Sequence, residues 1–247
     1  MTTRGRLRGR ALRSGLPVAV LCVGIMLLAL LSPNSMVRSD PALSLVAAQA
    51  LLEHGSLRLD PYADDPDLAY ELTTDYRVRE HDGSFLYYAV GAPLCSVPAV
   101  LVANALGLDM TEQEDEFATQ NALSAVLCGA IFVLVYLVVR SYLAPATSLV
   151  VAVVTSLGSP LISTCATALW NVDFAAVFML AALLVVVRHD LGKAPGAALL
   201  WLPPVLVAGF LSRPTVGFEA LGIAAYLGLR YFRARRRLVI AGGVAAV

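Results

Sequence analysis

Charge is scarce in this 247-residue chain: Asp, Glu, Lys and Arg together make up 15% of it, against about a quarter in a soluble domain. With 58% hydrophobic residues and a mean hydropathy of +0.74, that scarcity excludes an ordinary water-soluble globule and indicates an integral membrane protein. Cysteine is sparse too. Cys22, Cys95, Cys128 and Cys165 lie far apart in apolar runs and form no CxxC pair, which excludes a zinc ribbon or a disulfide framework and leaves them as small packing residues. His54, His81 and His189 show no metal-ligand spacing. A phosphate-cradling Gly loop, a nucleophile elbow and a metalloprotease motif are all missing, so soluble-type nucleotide chemistry has no carrier.

Long apolar runs are what the chain has instead. Segments that match the 17 to 25 residues of a bilayer crossing lie near 16–32, 118–139, 146–166, 174–187, 195–212 and 214–229, the run at 174–187 needing its flanks. A further run, 238–247, follows "RYFRARRR" and stops while still apolar, which predicts a truncated helix of a longer protein. The reading is an all-α, polytopic transmembrane bundle: a basic tail at 1–15, a first span at 16–32, a large extracytoplasmic loop at 33–117 and a five-helix region at 118–232. The first run resembles a signal peptide, since five arginines precede it, but no small-x-small cleavage site follows at "SPNSM". It is read as a retained helix.

Topology turns on 85–106, apolar but interrupted by Gly91, Pro93 and Pro98. If it does not cross and the N-terminus is cytoplasmic, thirteen Lys and Arg fall inside (4, 6, 8, 10, 13, 140, 188, 193, 230, 233, 235, 236, 237) and five outside (38, 58, 77, 79, 213). If it crosses, six are inside and twelve outside, because every later loop changes face. The positive-inside rule favours the first arrangement, a multi-pass protein of the plasma (inner) membrane. Segment 85–106 is then a re-entrant or juxtamembrane helix. The outer loop carries fifteen of the eighteen acids, among them the run "GLDMTEQEDEF". Within this loop 42–52 predicts a helix with Leu43, Val46, Ala47, Ala50 and Leu51 on one stripe, closed by Gly55. No internal repeat and no convincing β-sheet is visible.

Asp40, about eight residues beyond the first span, and Asp173, in "ALWNVDFAAVF", are expected at the same outer level. Each has a plainer explanation as a helix cap, Asp40 with Pro41 as the first helical residue. Two carboxylates at one depth can also divide the work of deprotonating and positioning an acceptor hydroxyl, or share a divalent cation through oxygen ligands; the metal question stays open. Arg213 in "LSRPT" is either a snorkelling side chain or a phosphate contact, its guanidinium matching phosphate oxygens in a fork. Glu219 is a candidate intramembrane site, with partial hydration near the outer boundary as its plainer account. The arginines 230–237 read as a cytoplasmic stop in contact with anionic lipid. Between membrane spans, no nucleic-acid partner is expected.

Four stretches in order, "AQALLEHGSLRLDPY", "DGSFLYYAVGAPLCSVPAVLVANALG", "TALWNVDFAAVFMLAALLVVVR" and "LVAGFLSRPTVGFEALGIAAYL", resemble polytopic glycosyltransferases of the C superfamily. That group includes protein O-mannosyltransferases (glycosyltransferase family 39) and the aminoarabinose transferases of lipid A. The second stretch is similar to the family's Tyr- and Pro-rich juxtamembrane helix. The resemblance implies inverting transfer of a sugar from a polyprenyl-phosphate-linked donor to a glycan, lipid or protein acceptor on the extracytoplasmic face. It implies Asp40 as catalytic base, Asp173 as the second outer acid and Arg213 near the donor phosphate. The family often has Asp-Glu where this chain has Asp40-Pro41. A transporter or flippase using Asp173 and Glu219, or a non-catalytic membrane scaffold, is the alternative.

Overall fold

The computed structural model describes residues 3–32, 41–65, 68, 78–80 and 82–244. The chain is all-α, with 75% helix and almost no strand. Thr3–Leu30 form α1, Ser44–His54 form α2 and Gly91–Ala105 form α3. The long helix α4 is Gln113–Arg140, followed by α5 (Pro145–Gly158) and α6 (Pro160–Cys165). Asn171–Asp190 form α7, Leu202–Ser212 form α8 after a 3-10 segment at Gly196–Trp201, and Val216–Val244 form α9. Two of these, α4 and α7, are long and apolar enough to cross a membrane; Gly15–Leu30, Gly91–Ala105, Pro145–Gly158 and Gly196–Ser212 are apolar but shorter.

Several expected boundaries shift for local reasons. The run 146–166 is one apolar segment in sequence but two helices in the fold. Ser159 is extended at φ −114, ψ 165, and Pro160 has no N–H to carry the α5 ladder forward. The run 195–212 likewise begins as a 3-10 helix and turns into α8 at Leu202, with proline in its first turn, where a missing N–H costs nothing. By contrast, 214–229 and 238–247 are not separate elements, since α9 runs from Val216 to Val244 without a break. The intervening "RYFRARRR" holds neither Gly nor Pro, and arginine is a good helix former. Extra residues at both ends lengthen 174–187 into α7.

The segment 42–52 does fold as a helix, α2, closed by Gly55 at φ 65 with its N–H on Leu51 O at 3.1 Å. It is not one-sided, because every residue from Ser44 to Ala50 is buried. Fully burying Leu45 and Val46 contributes about 1.5–3 kcal/mol each. The start also differs: Leu43, at φ 62, precedes the first helical residue, so Pro41 is not in the first turn of this helix. Asp40 itself lies outside the described residues. A small sheet, missed by the sequence reading, pairs β1 (Val78–Glu80) antiparallel with β2 (Ser84–Leu86). Its turn uses Asp82 at φ 54 and Gly83 at φ 144, and Asp-Gly between strands is a hairpin signal. The Ser84 N–H donates to Asp60 Oδ1 at 2.9 Å and the Leu59 N–H to Ser84 O at 2.8 Å, which ties the hairpin to the loop after α2.

Contacts sort the helix ends into two groups. At one end, the starts of α4 and α7 meet, because the Gln120 amide bonds the Leu169 N–H. The end of α8 joins them there through the start of α3. Gly91 abuts its backbone so closely that an added Cβ would lie 2.2 Å from Ser212 N. The far end of α3 returns to the same level, since the loop after it is bonded to Gln49 of α2 and to Asp115 of α4. Fifteen residues extend about 22 Å at 1.5 Å per residue, short of the roughly 30 Å of bilayer hydrocarbon. At the opposite end, Lys193 Nζ donates to Ser141 O at 2.6 Å and Arg230 pairs with Asp190 at 2.7 Å. Thus Arg230 has a protein partner and is not simply a lipid contact.

Three apolar clusters fill the interior. One joins α2, α3 and the starts of α4 and α7; another joins α1, α4, α5 and α6; a small third joins α7 to α8. Large apolar side chains remain exposed along α1, α8 and α9, including Leu31 at 80%, Phe218 at 78% and Leu221 at 68%. Apolar surface of that continuity is unfavourable in water.

Candidate functional site

The site is built on α4. Glu116, Gln120, Ser124 and Cys128 recur every fourth residue and are all buried, so they form one polar stripe on a helix face in an otherwise apolar segment. The stripe meets the turn between α6 and α7. Gln120 Nε2 donates to Glu116 Oε1 at 3.1 Å and to Pro41 O at 3.5 Å, while its Oε1 accepts the Leu169 N–H at 3.5 Å. One amide therefore clasps the residue after Asp40 and the residue four before Asp173.

Asp173 stands in the first turn of α7. Its N–H donates to Trp170 O at 2.9 Å, and its Oδ2 accepts the Trp170 N–H at 3.0 Å. Asp173 thus takes the N3 place of a capping box with Trp170 at the N-cap, rather than the N-cap place expected from the sequence, and its charge suits the positive end of a helix dipole. The side chain is not at an exposed boundary, however. Asp173 is 0% exposed, enclosed between the two larger apolar clusters. The Cys165 thiol, a weak donor, bonds the carboxylate, and Oδ1 receives no N–H or O–H donor.

Other buried polar atoms without hydrogen-bond partners include Ser124 Oγ on α4, and Trp170 Nε1 and Asn171 Oδ1 at the start of α7. Each such atom costs on the order of 1–3 kcal/mol when nothing replaces its water. Protein interiors contain few of them, and each calls for a water, an ion or a ligand to complete its bonding. Among the described residues, no three His, Cys, Asp or Glu side chains converge as a metal site.

Arg213 caps the end of α8, its N–H on Gly209 O at 2.8 Å and its side chain exposed. It follows Ser212, against which the start of α3 packs. Glu219 lies in the first turn of α9, partly buried, with Oε2 unpartnered. No hydrogen bond or ion pair joins Arg213 or Glu219 to Asp173 among the described residues. The fold therefore brings the Pro41 segment and Asp173 together, and leaves Arg213 and Glu219 on neighbouring helix ends.

The loop between α3 and α4 is bonded to α2. Asp109 Oδ1 accepts from Gln49 Nε2, the Thr111 N–H and the Thr111 hydroxyl, each at 2.9 Å, and the Met110 N–H donates to Gln49 Oε1 at 2.8 Å. Partial burial of Asp109 opposes its charge, but the Thr111 N–H, the Gln49 amide and the Thr111 hydroxyl outweigh it and hold the carboxyl below its ordinary value. The Tyr62 hydroxyl is pushed up by burial and then by its 2.7 Å bond to Glu53.

Glu116, Gln120, Ser124 and Gln49 were not singled out from sequence. The four-residue spacing of polar side chains through 116–128 was the available signal for the first three. Gln49 sits in an apolar helix with no such regularity. No protein-family model, curated protein or solved structure matches the chain.

Proposed function

We propose that this chain is a multi-pass membrane glycosyltransferase with its N-terminus cytoplasmic, moving a sugar from a polyprenyl-phosphate-linked donor to an acceptor on the extracytoplasmic face. The observation that carries the reading is the buried Asp173 carboxylate, with one oxygen unpartnered, next to a Gln120 amide that holds the residue following Asp40. In this reading Asp40 is the base that takes the acceptor proton, and Asp173 binds and orients a hydroxyl through Oδ1. Arg213 meets the donor phosphate as it leaves. General-base assistance is worth about 10²- to 10⁴-fold. The short helix α3, lying at one end of the bundle, supplies an apolar shelf beside the polar cluster where a lipid head and a polar acceptor can meet. The exposed apolar surfaces of α1, α8 and α9 support immersion of the helices beyond α4 and α7.

The test is transfer of radiolabelled sugar from a polyprenyl-phosphate donor by membranes containing the full-length protein, with Asp40→Asn and Asp173→Asn as variants. Loss of transfer with normal membrane insertion is expected for both, and undiminished transfer in either removes the assigned role. One observation favours a second reading, a transporter: Asp173 is enclosed rather than set at a surface, as an ion-coupling acid would be. Proton- or sodium-driven uptake abolished by Asp173→Asn but indifferent to Asp40→Asn would select it.

A further inference from the structure

The packing of α1 on α4 is uneven. Near the middle it is tight: a Cβ at Gly129 would lie 2.8 Å from Met26 Cγ and 3.2 Å from Cys22 Sγ, and the Cys22 thiol reaches Gly129 O at 3.7 Å. Toward the other end the two helices part around a wedge of about 480 Å³, lined by Gly15, Ala19 and Cys22 of α1 and Val133, Tyr136 and Leu137 of α4. Small residues on α1 leave this space, and a side chain added at Gly15 would meet nothing within 4 Å. Water needs two to four polar partners to occupy a cavity, and this one offers little beyond the Tyr136 hydroxyl and a thiol.

Positive charge gathers at its mouth. Arg140 ends α4 three residues past Leu137, is exposed, and has one guanidinium N–H on Leu143 O at 2.9 Å, leaving its other donors. Lys193 reaches the carbonyl of Ser141, the next residue. The acid at this end of α7, Asp190, is already engaged by Arg230 and Tyr226.

We propose that the α1/α4 wedge is a binding site for an anionic phospholipid of the cytoplasmic leaflet, one acyl chain lying between the helices and the phosphate meeting Arg140 and Lys193. The charge complementarity chooses the headgroup, since guanidinium and ammonium groups bind phosphate, and a headgroup with no cation of its own keeps its net negative charge for them. The proposal rests on the membrane reading given above, at a site separate from Asp173.

The full chain, reconstituted in phosphatidylcholine vesicles with and without phosphatidylglycerol, is floated after an alkaline wash, extracted in mild detergent and weighed by native mass spectrometry. Wild-type protein is expected to retain phosphatidylglycerol severalfold over phosphatidylcholine. Gly15→Leu fills open space and favours the helix, so it should fold, float and retain neither lipid; Ala19→Phe is the second wedge-filling variant. Arg140→Gln combined with Lys193→Gln should retain lipid without headgroup preference. Equal retention of both lipids by the wild type overturns the anionic assignment, and undiminished retention by both wedge-filling variants overturns the site. Failure to float overturns the membrane reading and this site together, whereas flotation with no retained lipid overturns this site alone.

Discussion

Two aspartates at opposite ends of α7 have opposite fates. Asp190, at the C-terminal end, pairs with Arg230 at 2.7 Å and accepts from the Tyr226 hydroxyl, with the Arg230 side chain half-exposed to solvent. Asp173, at the N-terminal end, is sealed from solvent, with the Trp170 N–H on one oxygen, no N–H or O–H donor on the other and only the weakly donating Cys165 thiol besides. A paired acid in reach of solvent ties two helices together and asks for nothing more. An enclosed acid with one oxygen lacking an N–H or O–H donor is costly to keep unless a ligand, an ion or a water uses it. The contrast is the reason for locating function at the end of the bundle where α4 and α7 begin.

Experiments can break or sharpen this contrast. The largest effect is expected from Asp173→Asn, with transfer lost while insertion is preserved; Asp190→Asn, assayed in parallel, should leave transfer close to wild type. Next comes Gly91→Ala. Its Cβ would fall 2.2 Å from Ser212 N, a backbone contact that cannot swing aside, so α3 must shift off α8 at a cost of about 1–3 kcal/mol, read as a lowered melting temperature in detergent. Gln120→Leu leaves the Leu169 N–H and Pro41 O without their bridging amide. About 1–3 kcal/mol of stability should go, and transfer should fall with it if the bridge sets the distance between Asp40 and Asp173.

A smaller effect follows from Asp109. Its carboxyl is held below the ordinary value in the folded protein, so the ionised form is the one that folding favours. The stabilisation is complete above the ordinary aspartate range and is lost as pH falls through the lower, folded value. Hydrogen exchange at Met110 and Thr111 should therefore speed up at acid pH and become pH-insensitive in Asp109→Asn after correction for intrinsic rates. The smallest effect belongs to Arg230→Gln. With its side chain half-exposed, solvent and salt screen the pair, and the melting temperature should scarcely move. A large drop there would erase the distinction between the two ends of α7.

The helices were legible because apolar runs and their punctuation are local properties. Gly55 closed α2 where a left-handed residue was needed, and the acidic start of α4 follows from the helix dipole. Boundaries that depended on one residue were harder. Ser159-Pro160 split an apolar run whose hydropathy shows no gap, whereas an arginine-rich stretch that resembles a loop by charge continued as helix. Of the candidate site, Asp173 was legible as an acid at a helix start. Its enclosure was not, since nothing around 173 in sequence reveals that α4 and the turn before α7 close over it. Gln120 was overlooked because an amide in an apolar helix has no motif.

The amino-acid sequence by itself determined an apolar, helical chain with its basic residues segregated from its acids, because composition, periodicity and charge placement act over a few turns at a time. Only the tertiary structure decided that Pro41 and Leu169 share one amide, that α3 starts and finishes at the same end of the bundle, and that Asp173 is enclosed while Asp190 is paired. Those outcomes depend on contacts between residues tens of positions apart, and close packing selects them by volume and hydrogen-bond geometry that no local stretch encodes.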